Sequence, residues 1–138
     1  MTTIPETLGL ALQHHQAGRL REAEALYRQI LQVQPSHLDA LHLLGVVAFQ
    51  RGQHQSAIDS ISKAIAIKDS VPEFHSNLGE AYRALGRPDD AAASYRRALA
   101  LNPDLPEALL NLGFVLGEQG LQEEAVAYFR HAVAVRPH

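Results

Sequence analysis

The sequence predicts an all-α solenoid of four helix-turn-helix repeats, and three observations carry that reading. Residue types recur every 34 positions, as in Gly18, Gly52, Gly86 and Gly120, in Ala23, Ala57, Ala91 and Ala125, and in Leu10, Leu44, Leu78 and Leu112. Within a period the apolar residues follow helical spacing in two runs. The period's glycine separates those runs. A fixed period of this length marks a repeat architecture, in which one small helical unit stacks on the next.

Taken in order, the periods cover 4–37, 38–71, 72–105 and 106–138, read together as one continuous solenoid domain. In the first, Gly18 precedes a run holding Ala23 and Tyr27; in the second, Gly52 precedes Ala57 and Ile61. The third is the clearest: Leu78, Tyr82 and Leu85 share one helical face, and Ala91, Tyr95, Ala98 and Leu99 share another. The fourth repeats the pattern with Leu112, Gly120, Ala125 and Phe129. Gly86 lies between two helices, so it is expected at the turn, where a helix end favours a residue that tolerates positive φ. Pro88 suits the first position of the second helix, where its missing N–H costs nothing. Pro72 and Pro106 open the next first helices, and Pro103 closes the helix before it. Pro35, Pro103 and Pro137 share a slot that Asp69 fills in the second period.

A small residue also follows each recurring leucine: Ala11, Gly45, Gly79 and Gly113. Glycine inside a helix is unfavourable by ~1 kcal/mol relative to alanine. It is justified where two helix backbones approach closely, and Ala91 is expected to be the small residue facing Gly79.

This 34-residue hairpin with its slot pattern resembles the tetratricopeptide repeat (TPR), in register across all four periods. The resemblance implies a right-handed superhelical array whose first helices line an inner groove. Departures are local. Thr7 and His14 stand where the family has large apolar residues, and Ala48 stands in an aromatic slot. The stretch "SNLGEAYRALGRPDDAAASYRRALALNPDLPEALLNLG" is further similar to the repeats of O-linked N-acetylglucosamine transferases and their bacterial relatives. In those arrays an asparagine before the Leu-Gly pair holds a peptide backbone. Asn77 and Asn111 match it; Gly9 and Leu43 do not.

Composition excludes several classes. A net charge of −3 and a pI near 6.2 leave no basic field for nucleic acid or an anionic membrane. That balance, with the TPR-like glycine and alanine slots, argues against a helical-repeat RNA binder. There is no cysteine, so no disulfide framework and no thiolate zinc site. The segment "MTTIPETLGLALQHHQAG" lacks a basic flank and a long apolar run, so no signal peptide is expected. A cytoplasmic protein is the resulting expectation. No phosphate loop, nucleophile elbow or H-E-x-x-H motif occurs, and no two histidines sit at i, i+4, so neither catalysis, a metal nor a cofactor is expected. The eight histidines read as solvated surface residues.

The expected function is that of a scaffold binding a peptide or protein segment in the groove. The inner stripe implied by the resemblance runs Leu8, Leu12, His15; His42, Val46, Phe49; Ser76, Glu80, Arg83; and Leu110, Phe114, Gly117. Leu12, Val46 and Leu110 are expected to be half-buried against neighbouring helices. The candidate peptide-binding residues are Asn77, Asn111, Arg83, Phe49, Phe114, His42 and Glu80. A primary amide both donates and accepts, so asparagines one period apart suit a peptide backbone. Phe49 and Phe114 would supply apolar anchorage. A clamp for acidic chaperone tails is not expected, because the only lysines, Lys63 and Lys68, lie outside the first helices. The alternative is the substrate-recognition arm of a larger glycosyltransferase-like enzyme. No polar capping helix follows the fourth repeat, so Leu112, Leu116, Phe129 and Val133 are expected to be uncovered, which implies either a fragment of a longer array or a self-association edge.

Overall fold

The computed structural model describes residues 2–135. Eight helices follow in order: α1 Ile4–Gln16, α2 Leu20–Val33, α3 Leu38–Gln50, α4 His54–Ile67, α5 Pro72–Ala84, α6 Pro88–Leu101, α7 Pro106–Glu118 and α8 Gln122–Val135. No strand occurs among the described residues, and the fold is an all-α repeat solenoid. Pro137 of the recurring proline slot, and the chain end at His138, lie outside the described residues. The chain divides into two compact units, Met1–Asp69 and Ser70–His138.

Each hairpin turn is built the same way. Gly18, Gly52, Gly86 and Gly120 have φ of 80°, 78°, 75° and 84°. In the third turn the Gly86 N–H donates to the Arg83 carbonyl at 3.0 Å and the Arg87 N–H to the Tyr82 carbonyl at 2.9 Å. That pair of bonds closes a Schellman motif and satisfies carbonyls the helix end would leave open. The prolines expected to start α5, α6 and α7 do so. Without a proline in that position, α3 is capped by His37, whose Nδ1 accepts the Ala40 N–H at 3.1 Å.

In unit 1, α1 packs on α2 and α3 on α4, while α3 also covers α2. Its core joins Ala11, Ala23, Tyr27, Leu44 and Val47. In unit 2 the pairs are α5–α6 and α7–α8, with α7 covering α6. There Ala91, Ala92, Tyr95 and Ala98 meet Ala108, Leu112 and Val115.

The close crossing exists, and its nearest contact is with the bulky residue of the second helix. A Cβ on Gly79 would lie 2.6 Å from the Tyr95 ring, and one on Gly113 would lie 2.6 Å from the Phe129 ring. The glycine makes a socket for the bulky residue of the second helix, and in the second repeat the alanine slot reaches it too, the Ala57 carbonyl lying 3.2 Å from where a Gly45 Cβ would be. The missing Cβ leaves room for the flat ring to lie against the first helix's backbone.

Candidate functional site

In unit 2 the first helices α5 and α7 bring together four of the residues singled out in the sequence. Glu80 and Arg83 lie one turn apart on α5; Asn111 and Phe114 lie likewise on α7. Asn111 Nδ2 donates to Glu80 Oε1 at 3.4 Å. Arg83 Nε donates to Glu118 Oε1 at 3.1 Å, and its guanidinium carbon lies 5.5 Å from the centre of the Phe114 ring. Phe114 is 47% exposed and meets Phe129 edge-on at 5.1 Å. The result is an open aromatic surface flanked by a cation, a carboxylate and a primary amide. Burial raises the pKa of Glu80 above the usual carboxylate value; the Asn111 bond opposes this, Glu107 adds to it and Arg83 opposes it. Asn77 lies half-buried on α5, one period before Asn111.

Unit 1 holds the other two candidates, both on α3. His42 and Phe49 are half-buried, seven positions apart on one helical stripe. The Phe49 ring tilts against His54 at 5.2 Å. Leu12 and Val46 are half-buried as expected, whereas Leu110 of unit 2 is exposed.

Several participants escaped the sequence reading. His15 is no solvated surface histidine: its Nδ1 lies 3.0 Å from the Tyr27 hydroxyl and its Nε2 lies 2.8 Å from Gln50 Oε1. An amide oxygen only accepts, so Nε2 carries the proton and the tyrosine donates to Nδ1. His75 is also buried, at 2% exposure. Glu118 was missed as the partner of Arg83. His15 and Arg83 share one repeat slot, and Gln50 and Glu118 share another. The two contacts are thus the same first-helix link in two units, spanning 35 residues each. That offset, one period plus one residue, was the available signal. An open cleft of about 700 Å³ between α6 and the α7–α8 turn was missed too; Pro88, Arg96 and Leu121 line it, and Gln119 Nε2 donates to Asp89 across it at 2.6 Å.

Family models for the tetratricopeptide repeat match residues 8–72 and 107–136, and a further TPR repeat model matches 79–120. The chain belongs to the tetratricopeptide repeat family. Among curated proteins, a UDP-N-acetylglucosamine–peptide N-acetylglucosaminyltransferase of Caenorhabditis elegans is 30% identical over 89 residues. That match covers 64% of this chain and 8% of the enzyme, so the chain corresponds to a small part of that protein. Among solved structures, a crystal structure of MamA superposes with a TM-score of 0.92 at 24% identity, over 98% of this chain and 79% of that one. MamA from Desulfovibrio magneticus RS-1 gives 0.91 at 17% identity, over 98% and 76%. At these identities the structural likeness establishes the TPR fold. No helix among the described residues is long and apolar enough to cross a membrane.

Proposed function

We propose that this TPR chain is a protein-interaction scaffold, itself without catalytic activity, that holds a peptide or protein segment on the first-helix faces of its units. The observation that carries the reading is the exposed Phe114 ring set among Arg83, Glu80 and Asn111. An extended segment has unpaired backbone N–H and C=O groups, which the amides of Asn77 and Asn111 suit. Phe114 in unit 2 and Phe49 in unit 1 supply apolar contact. Each amide bond contributes only about 0.5–1.5 kcal/mol net, so binding by this chain is expected to be micromolar or weaker, about −8 kcal/mol at best.

The test is affinity capture with this chain as bait, followed by binding measurements on a captured segment. The Asn77→Ala, Asn111→Ala double variant and Phe114→Ala should each weaken binding without loss of helical circular dichroism. Arg97→Ala, on the exposed side of α6, should leave it unchanged. Binding abolished by Arg97→Ala and untouched by the other changes would refute the proposal.

Two further readings have their own support. The N-acetylglucosaminyltransferase similarity favours a substrate-recognition arm of a larger enzyme; a reading frame continuing into a glycosyltransferase domain would decide for it. The apolar outer face of α8 favours self-association through the fourth repeat. A cytoplasmic setting is part of the proposal, and localising a tagged chain tests it.

A further inference from the structure

The outer face of α8 carries an open apolar hollow of about 320 Å³, lined by Val126, Phe129, Arg130 and Val133. Val126 and Val133 are 42% and 67% exposed. Leu112 and Leu116, also expected to be uncovered here, are fully buried, because they face inward against α6 and the rest of the core.

The chain itself shows what such a face takes. One period earlier the same slots hold Ala92, Tyr95 and Leu99 of α6, packed with Ala108, Leu112 and Val115 of α7. In unit 1, Tyr27 of α2 is packed with Leu44 and Val47 of α3. Each cover is an apolar helix face. The α1 helix of a second copy cannot supply one. In the slots where α7 has Ala108, Leu112 and Val115, α1 has Glu6, Leu10 and Gln13. Glu6 and Gln13 are exposed, and so is Leu10, unlike the buried Leu44 and Leu112 of the same slot. Stacking α1 on α8 would bury the exposed Gln13, and Glu6 with its Thr3 hydrogen bond, against valines where the other covers are wholly apolar. Head-to-tail stacking, which does not close on itself, is therefore disfavoured.

The α8 face, by contrast, is complementary to itself. Val126, Phe129, Arg130 and Val133 stand at i, i+3, i+4 and i+7, on one stripe. Read in either direction, a valine lies three residues outside a central aromatic–cation pair. An antiparallel pairing centred between Phe129 and Arg130 sets Val126 against Val133 of the second copy. It also sets the Arg130 guanidinium against the Phe129 ring of the second copy, a favourable contact. Arg83 makes a contact of that kind with Phe114 within this chain. The arginine stem adds apolar cover while its charge stays near solvent.

Resting on the self-association reading above, we propose that two copies pair through α8, antiparallel about a two-fold axis, with Val126–Val133 contacts flanking a central Phe129–Arg130 pair. An isologous contact of this kind closes at two copies. One helix face from each copy makes a small interface, so the dimer is weak and concentration-dependent.

The chain has no cysteine, so a single introduced thiol reports its own surroundings. About the proposed axis, Arg130→Cys lies about 1.5 Å along the helix from its counterpart, from the rise per residue. It should form a disulfide dimer on mild oxidation. A mixture of Leu10→Cys and Val133→Cys chains should not form the mixed Leu10–Val133 link. Sedimentation should show the 15.1 kDa chain passing to a dimer and no further as concentration rises. Val133→Glu should weaken dimerisation at least about tenfold, since it buries two carboxylates in one small interface. Its circular dichroism should be unchanged because the site is exposed. Assembly that links Leu10 to Val133 and not Arg130 to itself would overturn the symmetric mode while leaving self-association standing. Assembly unaffected by Val133→Glu would overturn the α8 face as its site. A chain that stays monomeric at millimolar concentration would overturn the mode and the self-association together.

Discussion

Replacing Tyr27 and Tyr95 separately with phenylalanine should give opposite results, although the two tyrosines share a repeat slot and are both fully buried. The Tyr27 hydroxyl donates to His15 Nδ1 at 3.0 Å. The Tyr95 hydroxyl is buried with no hydrogen-bond partner among the described residues. The slot that holds His15 in the first period holds Arg83 in the third, and Arg83 turns to Glu118 instead. Tyr27→Phe removes a made hydrogen bond and leaves His15 Nδ1 without its donor, a loss of about 0.5–1.5 kcal/mol. Tyr95→Phe removes a group whose desolvation nothing offsets, so it should be neutral or stabilise by up to about 1 kcal/mol. The two variants should then differ by about 1–2 kcal/mol, or roughly 3–5 °C per kcal/mol in Tm for a chain of this size. Urea and thermal melts followed by far-ultraviolet circular dichroism would read the difference. A cycle with His15→Ala should show coupling to Tyr27→Phe and none to Tyr95→Phe. Equal losses at both tyrosines, or a larger loss at Tyr95, would refute the assignment of the two hydroxyls.

Burial pushes the pKa of Tyr27 up to about 12 from its ordinary value of 10.0. The folded chain thus keeps a proton that the unfolded chain releases, and stability should fall as pH rises from about 10 to about 12; a denaturation series over that window should show a smaller fall in Tyr27→Phe. Gly86 has φ of 75° and open space where a side chain would go, so Gly86→Val should cost more than about 1 kcal/mol through backbone strain alone. Gly86→Asn should recover most of that in the same melt, since asparagine tolerates the left-handed region. At Gly79 the limit is space, so Gly79→Val should cost about 1–3 kcal/mol by displacing the Tyr95 ring. Gly79→Ala should cost less than Gly79→Val, because Ala11 already fills that slot beside Tyr27 in the first period, and Gly79→Val as stable as the parent would contradict the socket.

Much of the candidate site was legible as positions and little of it as interactions. The helical spacing placed Glu80 with Arg83 on α5 and Asn111 with Phe114 on α7, since residues three apart share a helical face whatever surrounds them. It did not show that Asn111 turns to Glu80, or that Arg83 reaches Glu118 and lies by Phe114. Those choices depend on which long side chain reaches which neighbour across two helices, and each has several rotamers within reach of more than one partner. His15 shows the same limit. Its slot was read correctly, but its burial state depends on a tyrosine from one neighbouring helix and a glutamine from another.

By itself the sequence determined the period, the hairpins and the turns, because each rests on interactions within one repeat: helical spacing, the φ freedom of glycine at Gly86, the fixed φ of proline at Pro88. Repetition then printed the same local message in four periods, so errors at one slot were corrected by the others. Only the tertiary structure decided that Gly79 receives the Tyr95 ring, that Leu112 and Leu116 turn inward, and that Val126 joins Val133 on the uncovered stripe. These outcomes hinge on the direction and depth of side chains between helices that are distant in sequence. The apolar pattern states that a residue is to be buried; the packing of the neighbouring helix states against what.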